Sequence, residues 1–180
     1  SVAMPLATQA PPDEIRTPGD LAGMYAYRRL FKPSQTRGAP DPHAGLGIPA
    51  YVRATSPLRR YHDLLAHQQI RAALRGGSPL PAEALAERYG VADVAAAAVR
   101  RAERLSNQHW KLVYLQQNAG WEGEGVVVDL EERKAAVIIP ALAFETRLKL
   151  QGGMAPNQRL RLKVREIDLV DAAAYFRVLD

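Results

Sequence analysis

The spacing of apolar residues changes from a helical period to a strand period near residue 120. Before this point apolar side chains recur every three to four residues, and the pattern predicts helices at 18–31, 56–74, 81–89 and 91–117. After it, apolar and polar residues alternate between glycine-containing turns. This alternation predicts five short strands at 125–130, 135–139, 144–150, 158–167 and 173–179. The expected fold class is therefore α+β.

Five short strands within about 60 residues favour a small five-stranded barrel of the OB type. We therefore predict two domains, one over residues 1–117 that is mostly helical after residue 56, and the barrel over residues 118–180. Residues 1 to about 50 are rich in proline and glycine. Such a segment does not build a core of its own, so we expect it to pack against another part of the protein.

The start of the second helix carries an electrostatic conflict. Ser56 is a good N-cap and Pro57 suits the first helical position, which would place Arg59 and Arg60 in the first turn. Unpaired backbone N–H groups make that turn electropositive, so two cations there favour a bound anion such as phosphate. Alternatively, Arg59 pairs with Asp63 four residues later and Arg60 is simply solvated.

A second basic feature lies in the predicted strand 158–167. Strict alternation places four cations on one face of this strand and aliphatic side chains on the other. In an OB fold such a ribbon could follow a nucleic-acid backbone, although a charged outer face is also common on half-buried strands. We name this set the basic ribbon; it consists of Arg159, Arg161, Lys163 and Arg165.

Composition narrows the classes of function. The chain has 180 residues, 47% of them hydrophobic, a net charge of +5 and no cysteine, which excludes disulfides and thiolate metal sites. Residues 1–116 hold 15 Lys and Arg against 9 Asp and Glu, a bias that suits an acidic partner such as nucleic acid. No apolar run approaches the roughly 20 residues of a membrane span, and no signal peptide is recognisable, so we expect a cytoplasmic protein.

The chain shows no motif for a resident metal or nucleotide. Its four histidines lack metal-ligand spacing, its aspartates are scattered, and it has no phosphate-binding glycine loop. A rival signal lies at residues 84–91, where Gly90 could form the turn of a helix-turn-helix that binds duplex DNA.

Two runs in the first half resemble a known family. Residues 42–51 read PHAGLGIPAY, and residues 55–61 read TSPLRRY, followed by Asp63, Leu64 and His67. Together they resemble the end of the catalytic domain in ribonuclease II and ribonuclease R. In that family the catalytic domain finishes in helices and is followed by an S1-type OB fold, which is the order predicted here.

The resemblance implies a processive exoribonuclease that degrades single-stranded RNA from its 3′ end to nucleoside 5′-monophosphates with magnesium. Arg59 matches the family arginine that grips the scissile phosphate. Glu103 matches a glutamate near the terminal nucleotide, although it could equally be a solvated acid paired with Arg100. Further RNA contacts are expected from the basic ribbon and from Thr55, Ser56, Arg60 and Tyr61.

The aspartates that bind magnesium in the family have no counterpart in this chain. The resemblance therefore implies that Mg²⁺ is held by the N-terminal remainder of the nuclease, and that this chain alone does not cut RNA. We expect a monomer. A non-catalytic RNA-binding fragment or adaptor is the alternative.

Overall fold

A computed structural model describes residues 2–15, 17–150 and 152–179. The α-helices are α1 (Leu21–Leu30), α2 (Tyr61–Leu74) and α3 (Ala82–Gln117). The strands are β1 (Leu6–Thr8), β2 (Gln35–Arg37), β3 (Glu122–Leu130), β4 (Lys134–Ile139), β5 (Phe144–Lys149), β6 (Arg159–Asp168) and β7 (Ala173–Leu179). No helix among these residues has the length and apolar character needed to cross a membrane.

The chain divides into two compact units. The first comprises Ser1–Ile15 and Leu30–Arg101, and the second comprises Arg16–Arg29 and Ala102–Asp180. The domain boundary that the sequence predicts, between residues 117 and 118, stays a prediction.

Five antiparallel strands in the second unit form a sheet of order β5-β4-β3-β6-β7. Strand β5 also lies near β7, so the sheet curls into a nearly closed barrel. All five strands agree with the sequence prediction to within three residues at either end. The predicted α+β class and the five-stranded OB-type barrel are therefore confirmed.

The core of the barrel is formed by the inward-facing side chains of its strands and by the end of α3. Leu112 and Leu115 of α3 are fully buried against it. Phe176 lies edge to face with both Trp121 and Phe144, at centroid distances of 5.9 Å. These aromatic rings are thus engaged with one another, while Tyr175 is about half exposed.

Helix α1 packs on the outer face of this barrel. Tyr25 is buried against Val128 and Ala136, and its hydroxyl donates a hydrogen bond to Glu145 Oε1 at 2.9 Å. Burial raises the pKa of Glu145, but hydrogen bonds from Arg147 and Tyr25, together with the positive charge of nearby arginines, outweigh this effect, and the pKa lies below its ordinary value. The proline- and glycine-rich N-terminal region thus finds part of its packing on the barrel.

In the first unit, a buried glutamine holds α2 in place. Gln69 is 1% exposed, and its amide donates to the carbonyls of Ala3 and Leu80 while its oxygen accepts from the Leu80 N–H. Because every polar atom of this side chain has a partner, its burial does not leave an unmade hydrogen bond.

The prediction that α2 begins at Ser56 is wrong. Arg60 is the N-cap, and the helix begins at Tyr61. The preceding residues form a separate turn, in which the N–H groups of Arg59 and Arg60 donate to the Ser56 carbonyl. Neither arginine therefore lies in the first helical turn, and the predicted conflict with the helix dipole does not arise there.

The prediction of a break at Gly90 is also wrong. Helix α3 runs without interruption through Gly90, whereas Gly76, which follows the C-terminus of α2, adopts a left-handed conformation at φ 67°. One glycine inside a helix costs only about 1 kcal/mol relative to alanine, and the alanine-rich surroundings offset it. A continuous helix lacks the turn that the helix-turn-helix alternative requires.

Strands β1 and β2 were not expected from the sequence. Each is three residues long and they pair antiparallel, with Ala7 opposite Thr36. A strand of three residues is too short to show a period of two, so its sequence carries no recognisable pattern.

Gly125 gives a test of the barrel core. A Cβ at this position would lie 2.5 Å from Leu162 Cδ1 and 2.7 Å from Val137 Cγ1, and both of those residues are fully buried. We therefore expect Gly125→Ala to lower the free energy of unfolding by about 1–3 kcal/mol in urea denaturation. Gly120→Ala is the control, because a Cβ there meets open space. Equal stability of the two variants would contradict this packing.

Candidate nucleic-acid interface

A buried carboxylate organises the segment between Thr55 and Asp63. Asp63 lies in the first turn of α2 and is fully buried. Its Oδ2 atom accepts a hydrogen bond from the Ser56 N–H at 2.8 Å, and two more from the Arg60 guanidinium, from Nε at 3.1 Å and Nη2 at 2.7 Å. The carboxylate therefore ties the turn before α2 to the helix itself.

Arg60 is held within this arrangement. Besides its two bonds to Asp63, its Nη2 donates to Thr55 Oγ1 at 2.9 Å. The alternative in which Arg59 pairs with Asp63 and Arg60 is solvated is therefore wrong, because Arg60 is the partner of Asp63. The turn after Ser56 places the Arg60 guanidinium beside the carboxylate of Asp63, which follows it by three residues in the chain.

Arg59 has the opposite environment. Its side chain is exposed, and its contact among the described residues is a long bond from Nη2 to Ser56 Oγ at 3.5 Å. Neighbouring Leu58 is fully exposed, and Tyr61 is 42% exposed. The turn therefore presents a guanidinium that has no acidic partner among the described residues, beside an aliphatic and an aromatic side chain.

His67, the last residue of the motif, fixes the start of the segment that precedes α2. His67 Nε2 lies 2.7 Å from the Ala54 carbonyl oxygen, which joins α2 to the residue before Thr55. With Asp63 and His67 both bonded to it, the segment 54–60 is fixed at two points. Arg59 is thus carried by a backbone that is already organised.

Sequence reasoning missed the role of Asp63. The apolar residues Tyr61, Leu64 and Leu65 recur at helical spacing in this helix, yet only Leu65 is fully buried, and the buried face also carries Asp63, Ala66 and Gln69. These three residues are spaced by three, so a polar residue at two positions of a buried face was the signal that could have identified them.

Glu103 lies on the exposed surface of α3. Among the described residues no ion pair joins it to Arg100, so the alternative pairing is not formed. Arg59 and Glu103 belong to different compact units. The role of Glu103 near a terminal nucleotide stays a prediction.

The basic ribbon is largely exposed, and each of its cations lies near an acid. Arg159 pairs with Glu124 at 3.1 Å, Lys163 and Arg161 both reach Glu122, and Arg165 approaches Glu166. Hydrogen bonding from Lys163 holds the pKa of Glu122 below its ordinary value. Much of the ribbon's charge is therefore compensated, and its contact with RNA stays a prediction.

Two family models match the chain. Residues 20–76 match the RNB domain, and residues 121–179 match the RNase II-type exonuclease C-terminal S1 domain. The first match contains the Asp63 arrangement, and the second contains the barrel. The chain belongs to the ribonuclease II (RNB) family.

Individual proteins similar to this chain are also named as ribonucleases. An uncharacterized ribonuclease of Synechocystis is 32% identical over 148 residues, covering 79% of this chain and 22% of the relative. The chloroplastic/mitochondrial ribonuclease II of Arabidopsis thaliana is 32% identical over 172 residues, covering 93% of this chain and 20% of the relative. The chain thus spans about a fifth of the length of these relatives.

A solved structure shares the fold. Mycoplasma genitalium RNase R, in complex with ribose-methylated single-stranded RNA, superposes with a TM-score of 0.71 at 14% identity. The match covers 99% of this chain and 38% of that one. The fold of this RNB family member therefore corresponds to part of a larger nuclease.

The chemistry of the family implies a divalent metal, but the residues that the structure describes form no group that fits one. Within residues 2–15, 17–150 and 152–179, no three His, Asp or Glu side chains come together as a metal-binding group. The carboxylate of Asp63 is occupied by hydrogen-bond donors on Oδ2, and its Oδ1 is buried.

Asp63 gives a test of the turn that presents Arg59. Asp63→Ala leaves the Ser56 N–H and the Arg60 guanidinium without their acceptor, so we expect a decrease of about 2 kcal/mol in the free energy of unfolding. Asp41→Ala is the matched control, because Asp41 is exposed and its ion pair with Arg37 is long, at 3.9 Å. This substitution should lower the free energy of unfolding by less than about 0.5 kcal/mol. Urea denaturation measures both. A decrease for Asp63→Ala no larger than that of the control would contradict this role.

Proposed function

We propose that this chain acts as the C-terminal part of a processive 3′–5′ exoribonuclease. In this proposal it supplies an arginine that grips the reacting phosphate and a barrel that holds single-stranded RNA. The observation that carries the proposal is the contrast between two adjacent arginines. Asp63 binds Arg60 and leaves Arg59 exposed, within the segment that matches the RNB domain.

The chemistry of Arg59 suits a phosphodiester. Its planar guanidinium can donate two parallel hydrogen bonds to phosphate oxygens. During hydrolysis negative charge increases on those oxygens, so a donor already fixed in position stabilises the transition state more than the bound substrate. The Asp63 arrangement fixes the backbone from which the Arg59 guanidinium projects, since the turn that carries Arg59 is hydrogen-bonded to α2.

The neighbouring residues have different roles in this proposal. The side chains of Thr55 and Ser56 lie on the same turn, and the exposed ring of Tyr61 follows it at the start of α2, so that all three offer further contacts to the RNA near that phosphate. Arg60 contributes to RNA binding mainly through the shape of the turn, since its guanidinium is bonded to Asp63 and Thr55.

The substrate we propose is single-stranded RNA, released as nucleoside 5′-monophosphates. The RNase R that shares this fold was solved with single-stranded RNA, and the C-terminal barrel matches an S1 domain. Magnesium would be held by residues outside this chain, in the N-terminal remainder of the nuclease. We further expect a monomer in the cytoplasm.

A non-catalytic RNA-binding role is the second candidate. It is favoured by one observation, that the described residues form no group able to hold a divalent metal. The two candidates differ in what they predict for an Arg59 substitution in a longer nuclease that contains this chain. Under the second candidate, the substitution would change RNA affinity without a separate effect on the cleavage rate.

An assay of the chain alone tests whether it binds RNA without cutting it. We expect the 180-residue chain to shift a 5′-labelled single-stranded RNA on a native gel in a salt-sensitive manner, and to leave it uncut with magnesium. A sequencing gel with a chelator control measures cleavage. A magnesium-dependent ladder that shortens from the 3′ end would overturn the proposal that the metal ligands lie elsewhere.

Arg59 is tested in the complete nuclease. We expect Arg59→Ala to lower the single-turnover cleavage rate by about 100-fold, or about 3 kcal/mol, while RNA affinity changes much less. Arg59→Lys should recover only part of the rate, because a lysine keeps the charge but not the paired donors. Fluorescence anisotropy in chelator measures affinity. Equal reductions of rate and affinity would contradict the catalytic role and favour the second candidate.

A further inference from the structure

A concave surface at one edge of the barrel collects basic side chains. It lies where the β3–β4 turn meets the end of β5, and it is lined by Glu132, Arg133, Lys134, Lys149 and Leu150. We name it the lysine cleft. Lys134 and Lys149 are directly opposite each other in the antiparallel register of β4 and β5.

This pair is electrostatically unfavourable without a partner. Like charges directly opposite on neighbouring strands repel and destabilise the sheet. Elsewhere on the barrel, cations lie beside acids, such as Arg147 beside Glu131 and Glu145. In the described part of the chain, Arg133, Lys134 and Lys149 have no acid within ion-pair distance. Three cations against the single carboxylate of Glu132 leave the cleft with a net positive charge.

The backbone of the cleft is fixed. The Glu131 N–H donates to the Lys134 carbonyl at 2.7 Å and closes the turn, while the Leu150 N–H donates to the Arg133 carbonyl at 3.0 Å and joins the end of β5 to it. The backbone that carries the three cations is therefore organised before any ligand arrives. A preformed site loses less conformational entropy on binding.

Helix α1 directs a ligand toward this edge. The outer face of β3 and β4 is covered at Val128 and Ala136 by Tyr25 of α1. An extended polyanion therefore cannot lie across the middle of these strands, although OB folds often bind oligonucleotides on a strand face. The edge with the lysine cleft remains exposed, since Arg133, Lys134 and Lys149 are all exposed.

We infer that the lysine cleft binds the phosphodiester backbone of single-stranded RNA, at a site separate from Arg59. The inference rests on the proposed function and names where the barrel holds its substrate. Two lysines act as mobile point charges rather than as rigid forks, so they suit phosphates in any base sequence. The aliphatic side chain of Leu150 lines the same surface and offers an apolar contact.

The test measures the salt dependence of RNA binding by the full 180-residue chain. The probe is a 5′-fluorescein oligouridine, and anisotropy is recorded in chelator over a series of KCl concentrations. For Lys134→Gln with Lys149→Gln, we expect the slope of log K against log salt to fall in magnitude by about 1.4, at about 0.7 for each phosphate that the variant no longer neutralises. Lys134→Arg with Lys149→Arg should keep the original slope.

A control removes equal charge elsewhere. Arg88→Gln with Arg101→Gln lowers the net charge by the same amount on exposed positions of α3 and should leave the slope unchanged. The melting temperature of the lysine variant should equal or exceed that of the parent chain, because a like-charge pair has been removed. This result would show that any decrease in binding does not come from unfolding.

The outcomes separate the inference from the proposed function. An unchanged slope in the lysine variant, with salt-sensitive binding by the parent chain, overturns the lysine cleft and leaves the RNA-holding role of the chain intact. An equal fall in the α3 control also overturns it, because bulk charge would then account for the effect. Absence of RNA binding by the parent chain overturns both.

Discussion

The candidate site depends on one buried carboxylate oxygen. Asp63 Oδ2 accepts three N–H donors, one from the Ser56 backbone and two from Arg60, in a position with no exposure to solvent. A buried charge is tolerated only when it is paired and hydrogen-bonded, so this arrangement fixes where the chain turns and where α2 begins. It also determines which of two adjacent arginines is available to a ligand. Arg60 neutralises Asp63, and Arg59 is consequently left exposed.

In the second unit, too, pairing with acids decides which cations are available to a ligand. The basic ribbon on β6 looks like the stronger candidate for RNA binding in the sequence, but Glu122 and Glu124 on β3 pair with three of its four cations. The lysine cleft has fewer cations and no comparable compensation. A sequence shows the number of charges on a strand, whereas the cross-strand register decides which of them remain available for a partner.

The sequence predicted the barrel well and the helical part less well, for physical reasons. A strand with one buried face alternates over its whole length, so β3 to β7 were located to within three residues at either end. The start of α2 was misplaced because Ser56 and Pro57 are good local signals, whereas the deciding contact comes from Asp63, seven residues later. Gly90 was misread because a glycine that ends a helix and one that lies inside it look alike in sequence. At the site, the motif around Arg59 was recognisable, but the different environments of Arg59 and Arg60 required the structure.

Under the proposed function, the two anion-binding elements perform different tasks. A contact that is equally strong in the bound substrate and the transition state raises affinity without raising the rate of the chemical step. The lysine cleft is such a contact, because phosphates far from the reacting bond do not change during hydrolysis. Arg59 is the other kind, because the charge on the phosphate that it binds increases as the bond breaks. A processive nuclease needs both, since it must retain the RNA after each cleavage and still move by one nucleotide. Mobile lysine ammonium groups allow that movement, because they bind successive phosphates without a fixed geometry, whereas Arg59 extends from a backbone that is fixed by the turn that Asp63 organises.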